Sequence, residues 1–247
     1  MSGNHTMMCT TDIDFKRHFE SIADFLFDEL LPNEQASLSY SAEDTYFLRT
    51  NHAQVRQNGF VLQAEISVTL YKNKRTYTFA QGLTGLLEQD KEPLAAALED
   101  ARSIAAQLPE DPYQSVPTAC DCSETAYDGT LLPQQDVEKS LLDPADGLDF
   151  AGLFAQGMIC RGAANTAGAR HWFQTKTFTL DYSIWLENGR AVKGLYAGRD
   201  WQQAEYEKRI ADARQRLPIL ALEPKKIKPG KYRVFIAADA LVDVVEF

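Results

Sequence analysis

One pattern occurs twice in this chain, and that repetition limits what it can fold into. A hairpin followed by a helix recurs with matching residues displaced by about 110 positions, too long a period for a solenoid and in too few copies. The first copy runs through Arg49-Thr50-Asn51, an alternating stretch from Ala64 to Tyr71, the turn residues Asn73-Lys74-Arg75, and a helical run holding Asp100-Ala101-Arg102 that ends at Leu108-Pro109. The second has Arg161 to Asn165, alternation from Thr177 to Trp185, Asn188-Gly189-Arg190, then Asp212-Ala213-Arg214 and Leu217-Pro218. The expected fold class is α+β: a duplicated unit of antiparallel strands plus helix, in mixed sheets with helices packed on one side. Two such units build a cleft or a continuous sheet.

Local pattern places the elements. Asp12 or Asp14 caps a helix whose apolar residues Phe15, Phe19, Ile22, Leu26 and Leu30 fall at steps of three and four, and Pro32 ends it. From Leu38 to Ala80 the period becomes two, with Asn58-Gly59 and Asn73-Lys74 breaking the run into a meander. Pro93 suits a first helical position, followed by an Ala-rich apolar face from Leu94 to Leu108. A short helix is expected at about Gln134 to Leu142. Phe150 to Ile159 reads as a glycine-interrupted strand, where missing side chains permit a bend or a close backbone. Asn188-Gly189 marks a type I′ hairpin, and Asp200 is the expected cap of the last long helix. Tyr232 to Ala237 reads as a strand, with Asp239 capping a helix that reaches the final residues. The resulting division is a disordered leader over 1–11, a first repeat over 12–117 and a hinge with a short helix over 118–148. A second repeat covers 149–230, and 231–247 begins a truncated or docking C-terminal segment.

Composition excludes some functions. The net charge of −10 argues against an extended nucleic-acid surface, which needs a local excess of Lys and Arg. The one basic run, Lys225, Lys226, Lys228, Lys231 and Arg233, reads as a solvated loop around Pro224, Pro229 and Gly230. No stretch approaches the ~20 apolar residues that span a bilayer, so no membrane partner is expected. The first residues lack a basic and an apolar leader region, and four cysteines make no disulfide framework; both point to the cytoplasm.

The sequence holds no G-x-S-x-G, P-loop, G-x-G-x-x-G, C-x-x-C or His-Glu-x-x-His. His171 beside Trp172 reads as a packed or rim residue. Cys120-Asp121-Cys122 invites zinc, but its spacing is poor for one tetrahedral ion, and a variable hinge loop explains it better. Glu43-Asp44 and Asp146 with Asp149 are candidate carboxylate pairs that read more simply as surface acids. The strongest constellation is Gly157 to Gly168. Arg161 offers a planar five-donor fork, Asn165 both donors and acceptors, and Gly162 and Gly168 leave backbone amides open. Such a segment can hold an extended peptide, and it can equally be a tight internal turn in which Asn165 satisfies its own neighbours.

Arg161-Gly162-Ala163-Ala164-Asn165-Thr166-Ala167-Gly168, then His171-Trp172, Ala191-Val192-Lys193 and Tyr196-Ala197-Gly198-Arg199-Asp200-Trp201, resembles the TldD/PmbA family, also called modulators of DNA gyrase. Pro229-Gly230-Lys231-Tyr232 through Asp239-Ala240-Leu241 resembles the passage into that family's C-terminal domain. The likeness covers about residues 12–247, with Thr118 to Thr130 divergent. It implies an internally duplicated α+β N-terminal domain, a part in metal-dependent proteolysis and peptide maturation, and oligomeric assembly. TldD-type chains carry a His-Glu-x-x-x-His helix that binds the metal, whereas the PmbA (TldE) type lacks it and partners a TldD subunit. That motif is missing here, so the resemblance assigns this chain no metal ligand, cofactor or catalytic residue, and leaves zinc to a TldD-like partner. The implied function is a PmbA-like domain shaping a cleft for extended peptides, with a non-catalytic assembly module docking on a TldD-like subunit, or on itself, as the alternative. The peptide-binding candidates are Arg161, Gly162, Asn165 and Gly168, with Arg49 and Asn51 as their repeat equivalents.

Overall fold

The computed structural model describes residues 13–245. The expected leader over 1–11 and the last two residues lie outside them. In chain order come α1 (Phe15–Asp28), β1 (Gln35–Asn51), β2 (Gln54–Lys72), β3 (Arg75–Leu83) and α2 (Leu87–Ala105), then β4 (Cys122–Tyr127). There follow α3 (Gln134–Leu142), β5 (Asp149–Asn165), β6 (Arg170–Trp185), β7 (Ala191–Gly198), α4 (Gln203–Leu220) and α5 (Ala238–Val245). The order helix, three strands, helix therefore occurs twice, with β4 between the copies.

The repeated residues have repeated tasks. In the first copy the Arg75 guanidinium leaves the β2–β3 turn and donates to the Leu108 carbonyl just beyond α2, at 2.8 Å. In the second, Arg190 leaves the β6–β7 turn and donates to the carbonyls of Leu220 and Leu222 at the end of α4, at 2.9 and 2.7 Å. Helix ends leave carbonyls without intrahelical donors, and a cation there also suits the helix dipole. The Asp-Ala-Arg pairs work the same way. Ala101 and Ala213 pack in the cores, while Arg102 donates to Glu29 O after α1 and Arg214 to Pro144 O after α3.

The strands form a mixed seven-stranded sheet of order β3-β2-β1-β5-β6-β4, with β7 also on β6. The β2–β3 and β6–β7 pairs are antiparallel and β4–β6 is parallel. The chain divides into two compact units, and β1, β2, β5 and β6 each run on from one into the other, so each unit draws on both sequence repeats. The first unit comprises residues up to Thr45, Phe60–Gly129 and Gly157–Lys176. Its core gathers Phe15, Phe19, Ile22 and Leu26 of α1 over Leu38, Tyr40, Ile66, Val68 and Trp172, with Leu94 of α2. The rings of Phe19, Tyr40 and Trp172 meet at 5.4 to 6.1 Å between centroids. Asp14 caps α1 by accepting from Arg17 N. The second unit, Tyr46–Gly59, Thr130–Gln156 and Thr177 onward, is packed around aromatics: Phe150, Phe154, Phe178, Tyr182, Tyr196 and Tyr206. Tyr206 is buried and donates its hydroxyl to Leu141 O at 2.8 Å.

Several expectations need correction. The β1–β2 turn is made by His52 and Ala53, both at positive φ, and Asn58-Gly59 lies inside β2. A Cβ on Gly59 would stand 3.1 Å from the Phe47 ring. The positive-φ pair of a type I′ turn is found at Asn73 and Lys74; at Asn188-Gly189 only the glycine is positive. Helix α2 begins before Pro93, since Thr84 Oγ1 holds Leu86 N and the Asp90 carboxylate is drawn inward, which starts the helix early. Asp200 does not cap α4: it accepts from Thr130 N at 2.9 Å, and the Tyr196 hydroxyl accepts from Gln202 N instead. Thr118 to Thr130 holds a strand, β4, whose nearly complete exposure leaves no alternation to read. Tyr232 to Ala237 forms no strand, because it pairs with nothing among the described residues, and α5 starts one residue before Asp239.

Candidate functional site

Alternation along a strand sends neighbouring side chains to opposite faces. In the first unit even-numbered residues of β1 and β2 (Leu38, Tyr40, Ala42; Ala64, Ile66, Val68) meet the helices, so odd-numbered ones occupy the face without helices. That face is polar: Ser37, Ser39, Ser41 and Glu43 on β1, and Gln63, Glu65, Ser67 and Thr69 on β2. Thr69 and Thr78 stand opposite each other in the β2–β3 register and share a hydrogen bond of 2.9 Å.

A hollow of about 670 Å³ lies across β3, β2, β1 and β5 of this unit. Its polar lining is Ser41, Glu43, Gln63, Glu65, Thr84 and Arg161, with Ile159 as an apolar patch. Gly82, opposite Glu65 in the register, widens it, since nothing lies within 4 Å of where a Cβ would sit. Gln63 Nε2 donates to Glu43 Oε1 at 2.5 Å. Arg161 donates through Nη1 to its neighbour's carbonyl, Cys160 O, at 2.8 Å. The arrangement offers donors and acceptors spaced along strands, which suits a chain lying across them. It pairs no nucleophile with a base. Glu43 and Asp44 cannot act as a carboxylate pair, because adjacent strand residues face opposite sides.

The other expected site residues take different places. Gly162 is turned toward α1, where a Cβ would come 2.9 Å from the Phe19 ring. Asn165 is buried: its Oδ1 accepts from Ala169 N and its Nδ2 donates to Ala119 O, both at 3.0 Å. Of the two readings of this segment, Asn165 follows the internal turn, and Gly168 sits in it at φ 110°. Arg49 and Asn51, both exposed, close β1 in the second unit. The neighbour of Arg49, Thr50, is buried and donates to Gly152 O at 3.3 Å.

One polar constellation was hidden from sequence reasoning. His18 on α1 contacts Asp90 Oδ2 on α2 through Nε2 at 3.0 Å and the Tyr40 hydroxyl on β1 through Nδ1 at 3.2 Å. Asp90 Oδ1 also accepts from Thr84 N at 2.8 Å. All three side chains are buried, so the cluster fastens two helices to the sheet and faces no ligand. Only a lone histidine on an apolar helix face could have signalled it. His171 is a rim residue, bonded to Ser123 Oγ at 2.8 Å. Among the described residues no three His, Cys, Asp or Glu side chains gather to hold a metal, and no helix is long and apolar enough to cross a membrane.

No protein-family model and no curated protein matches the sequence. Solved structures do match. A candidate modulator of DNA gyrase from Bacteroides thetaiotaomicron aligns at 16% identity and TM-score 0.60 over 88% of this chain. TldE from Thermococcus kodakarensis aligns at 13% identity and TM-score 0.57 over 81%. The chain shares their fold. A second candidate gyrase modulator, from Thermotoga maritima, aligns at 16% identity and TM-score 0.55 over 79%. This chain spans about half the length of these structures: 52%, 47% and 47% of them respectively. The likeness read from Arg161 to Gly168 and its companions therefore has a counterpart in fold, in a TldE and in two candidate gyrase modulators.

Proposed function

We propose that this chain is a PmbA (TldE)-like N-terminal domain of a TldD/PmbA-type proteolytic system, acting in the cytoplasm. In this reading it shapes a surface for extended peptides and contributes no metal ligand, the metal being held by a TldD-like partner. The observation that carries the proposal is the hollow on the helix-free sheet face of a domain whose fold is shared with a TldE. Peptide amides and carbonyls would find the hydroxyls of Ser41 and Thr84, the amide of Gln63 and the carboxylates of Glu43 and Glu65. Arg161 would orient the peptide through a carbonyl or carboxylate, while Gly162, Asn165 and Gly168 hold the strand and turn that present it. Arg49 and Asn51 would make the corresponding contacts of the first repeat on the second unit's own surface. Recognition through backbone groups implies weak sequence preference. The description as a modulator of DNA gyrase belongs to two of the neighbours; with a charge of −10, any such role here would run through protein contacts.

Fluorescence anisotropy with a labelled unfolded peptide tests this. Arg161→Ala is expected to weaken binding about tenfold, the order of one charge-assisted contact, while leaving the melting temperature unchanged. Unchanged affinity would remove Arg161 from the site. The alternative is a non-catalytic assembly module, favoured by the exposed apolar side chains of Phe235, Leu241, Val244 and Val245 near the end of the described chain. Such a module forms a stable complex with a TldD-like chain on size exclusion without peptide, and binds no peptide by itself.

A further inference from the structure

We propose that Cys120 and Cys122 form a redox-active dithiol that exchanges with small disulfides of the glutathione class. Both thiols are exposed, at and just before the start of β4. Both side chains approach the same residue. Cys122 Sγ lies 3.8 Å from the Gly168 carbonyl oxygen, and Cys120 Cβ lies 3.8 Å from where a Gly168 side chain would begin. Residues two apart have Cα atoms at most about 7 Å from each other, so a small bend brings the pair within disulfide range. Cys120 precedes the strand, so the bend falls between the Ala119 carbonyl, held by Asn165 Nδ2, and the first rung of the ladder, Cys122 opposite Arg170. Among the described residues no third His, Cys, Asp or Glu joins the two thiols in a group that could hold a metal ion.

A hollow of about 260 Å³ opens beside Cys122, walled by Phe19 and Trp172 and edged by Lys16 and Arg170. The two cations are held in surface ion pairs, Lys16 with Glu124 at 2.6 Å and Arg170 with Asp24 at 3.2 Å, which the carboxylates of a glutathione-like ligand can share. In the exchange, the Cys122 thiolate attacks one sulfur of R–S–S–R, forming Cys122–S–S–R and expelling RS⁻. The Cys120 thiolate then attacks the Cys122 sulfur and expels the second RS⁻. The two cysteine protons end on the two released thiolates, so the pair loses two electrons as the small disulfide becomes two thiols. Cys160 provides an internal control: it is buried, and burial pushes its thiol up to about 11.

The test uses the full chain carrying Cys9→Ser, equilibrated with reduced and oxidised glutathione and analysed by intact mass and peptide mapping. The expected product has lost two hydrogens, with Cys120 joined to Cys122 and Cys160 free. Cys120→Ser is expected to stop at a glutathione adduct on Cys122, and Cys122→Ser at an adduct on Cys120, because neither single thiol can close the internal disulfide. Independent adducts on both cysteines of the parent, or two free thiols in the most oxidising buffer, would overturn the proposal.

Discussion

Replacing Glu34 with alanine is expected to destabilise the protein by about 3 to 5 kcal/mol, the usual cost of removing one partner from a buried ion pair. The Glu34 side chain is fully buried at the start of β1, and its two oxygens collect five donor contacts. Arg102 Nε reaches both at 3.1 Å and Nη2 reaches one at 2.9 Å; Lys72 Nζ and Leu31 N approach at 2.8 and 2.9 Å. One carboxylate thus ties the end of α1, the end of β2 and α2 together. Without it Arg102, itself nearly buried, keeps only Glu99 and the Glu29 carbonyl. In a domain of this size the loss appears as a fall of roughly 10 °C in melting temperature.

The same group sets an acid limit. Hydrogen bonds from Arg102 and Lys72 outweigh desolvation and hold the Glu34 carboxyl at about 2, against 4.5 unperturbed. The unfolded chain therefore takes up this proton first as pH falls. The stabilisation is whole above about pH 4.5 and is lost as pH falls from there toward 2, on the order of 3 kcal/mol in all. Denaturant titrations between pH 6 and 3 should show that slope in the parent protein and a smaller one in Glu34→Gln. Equal slopes would mean that the carboxylate is not held in this cage.

Gly157→Ala is the second large effect. A Cβ on Gly157 would stand 2.1 Å from Asp44 O and 2.6 Å from Thr45 Cα, both backbone atoms that cannot rotate aside, and φ is 156°. The substitution forces β1 and β5 apart at that point, with an expected cost of about 4 kcal/mol or failure to accumulate folded protein. Gly82→Ala is the matched control, since its Cβ would enter open space on the hollow and leave the melting temperature nearly unchanged. Thermal melts of the two variants decide the matter, and similar losses in both would refute the close-approach account.

What could be read in advance follows from the range of each interaction. Helix α3 matches its expected span, and α1 is capped by Asp14, one of the two residues its sequence offers, because periodicity and caps are local signals. The doubled Arg75/Arg190 and Arg102/Arg214 were visible as repeats, although their shared task of holding helix-end carbonyls was not. Glycine punctuation before Ile159 allows a bend or a backbone approach, and the approach is realised at Gly157. The long-range polar pairs were illegible: Glu34 meets Arg102, and His18 meets Asp90, across stretches of chain that carry no mutual pattern. The His52-Ala53 turn is hard to read because alanine carries no preference for positive φ and histidine only a statistical one. At the candidate site, Arg161 could be named from its type and position. The hollow beside it could not, because it depends on which strands stand next to β5.

The central claim, that this domain presents peptide without cutting it, is tested most directly by an unfolded reporter peptide in a cleavage assay. The full chain is assayed alone, after chelator treatment and after addition of a metal-loaded TldD-like chain. The account predicts binding without cleavage by the chain alone, binding that survives chelation, and cleavage only after the second chain is added. Cleavage by the chelated chain alone, or no binding of peptide under any of the three conditions, would contradict it.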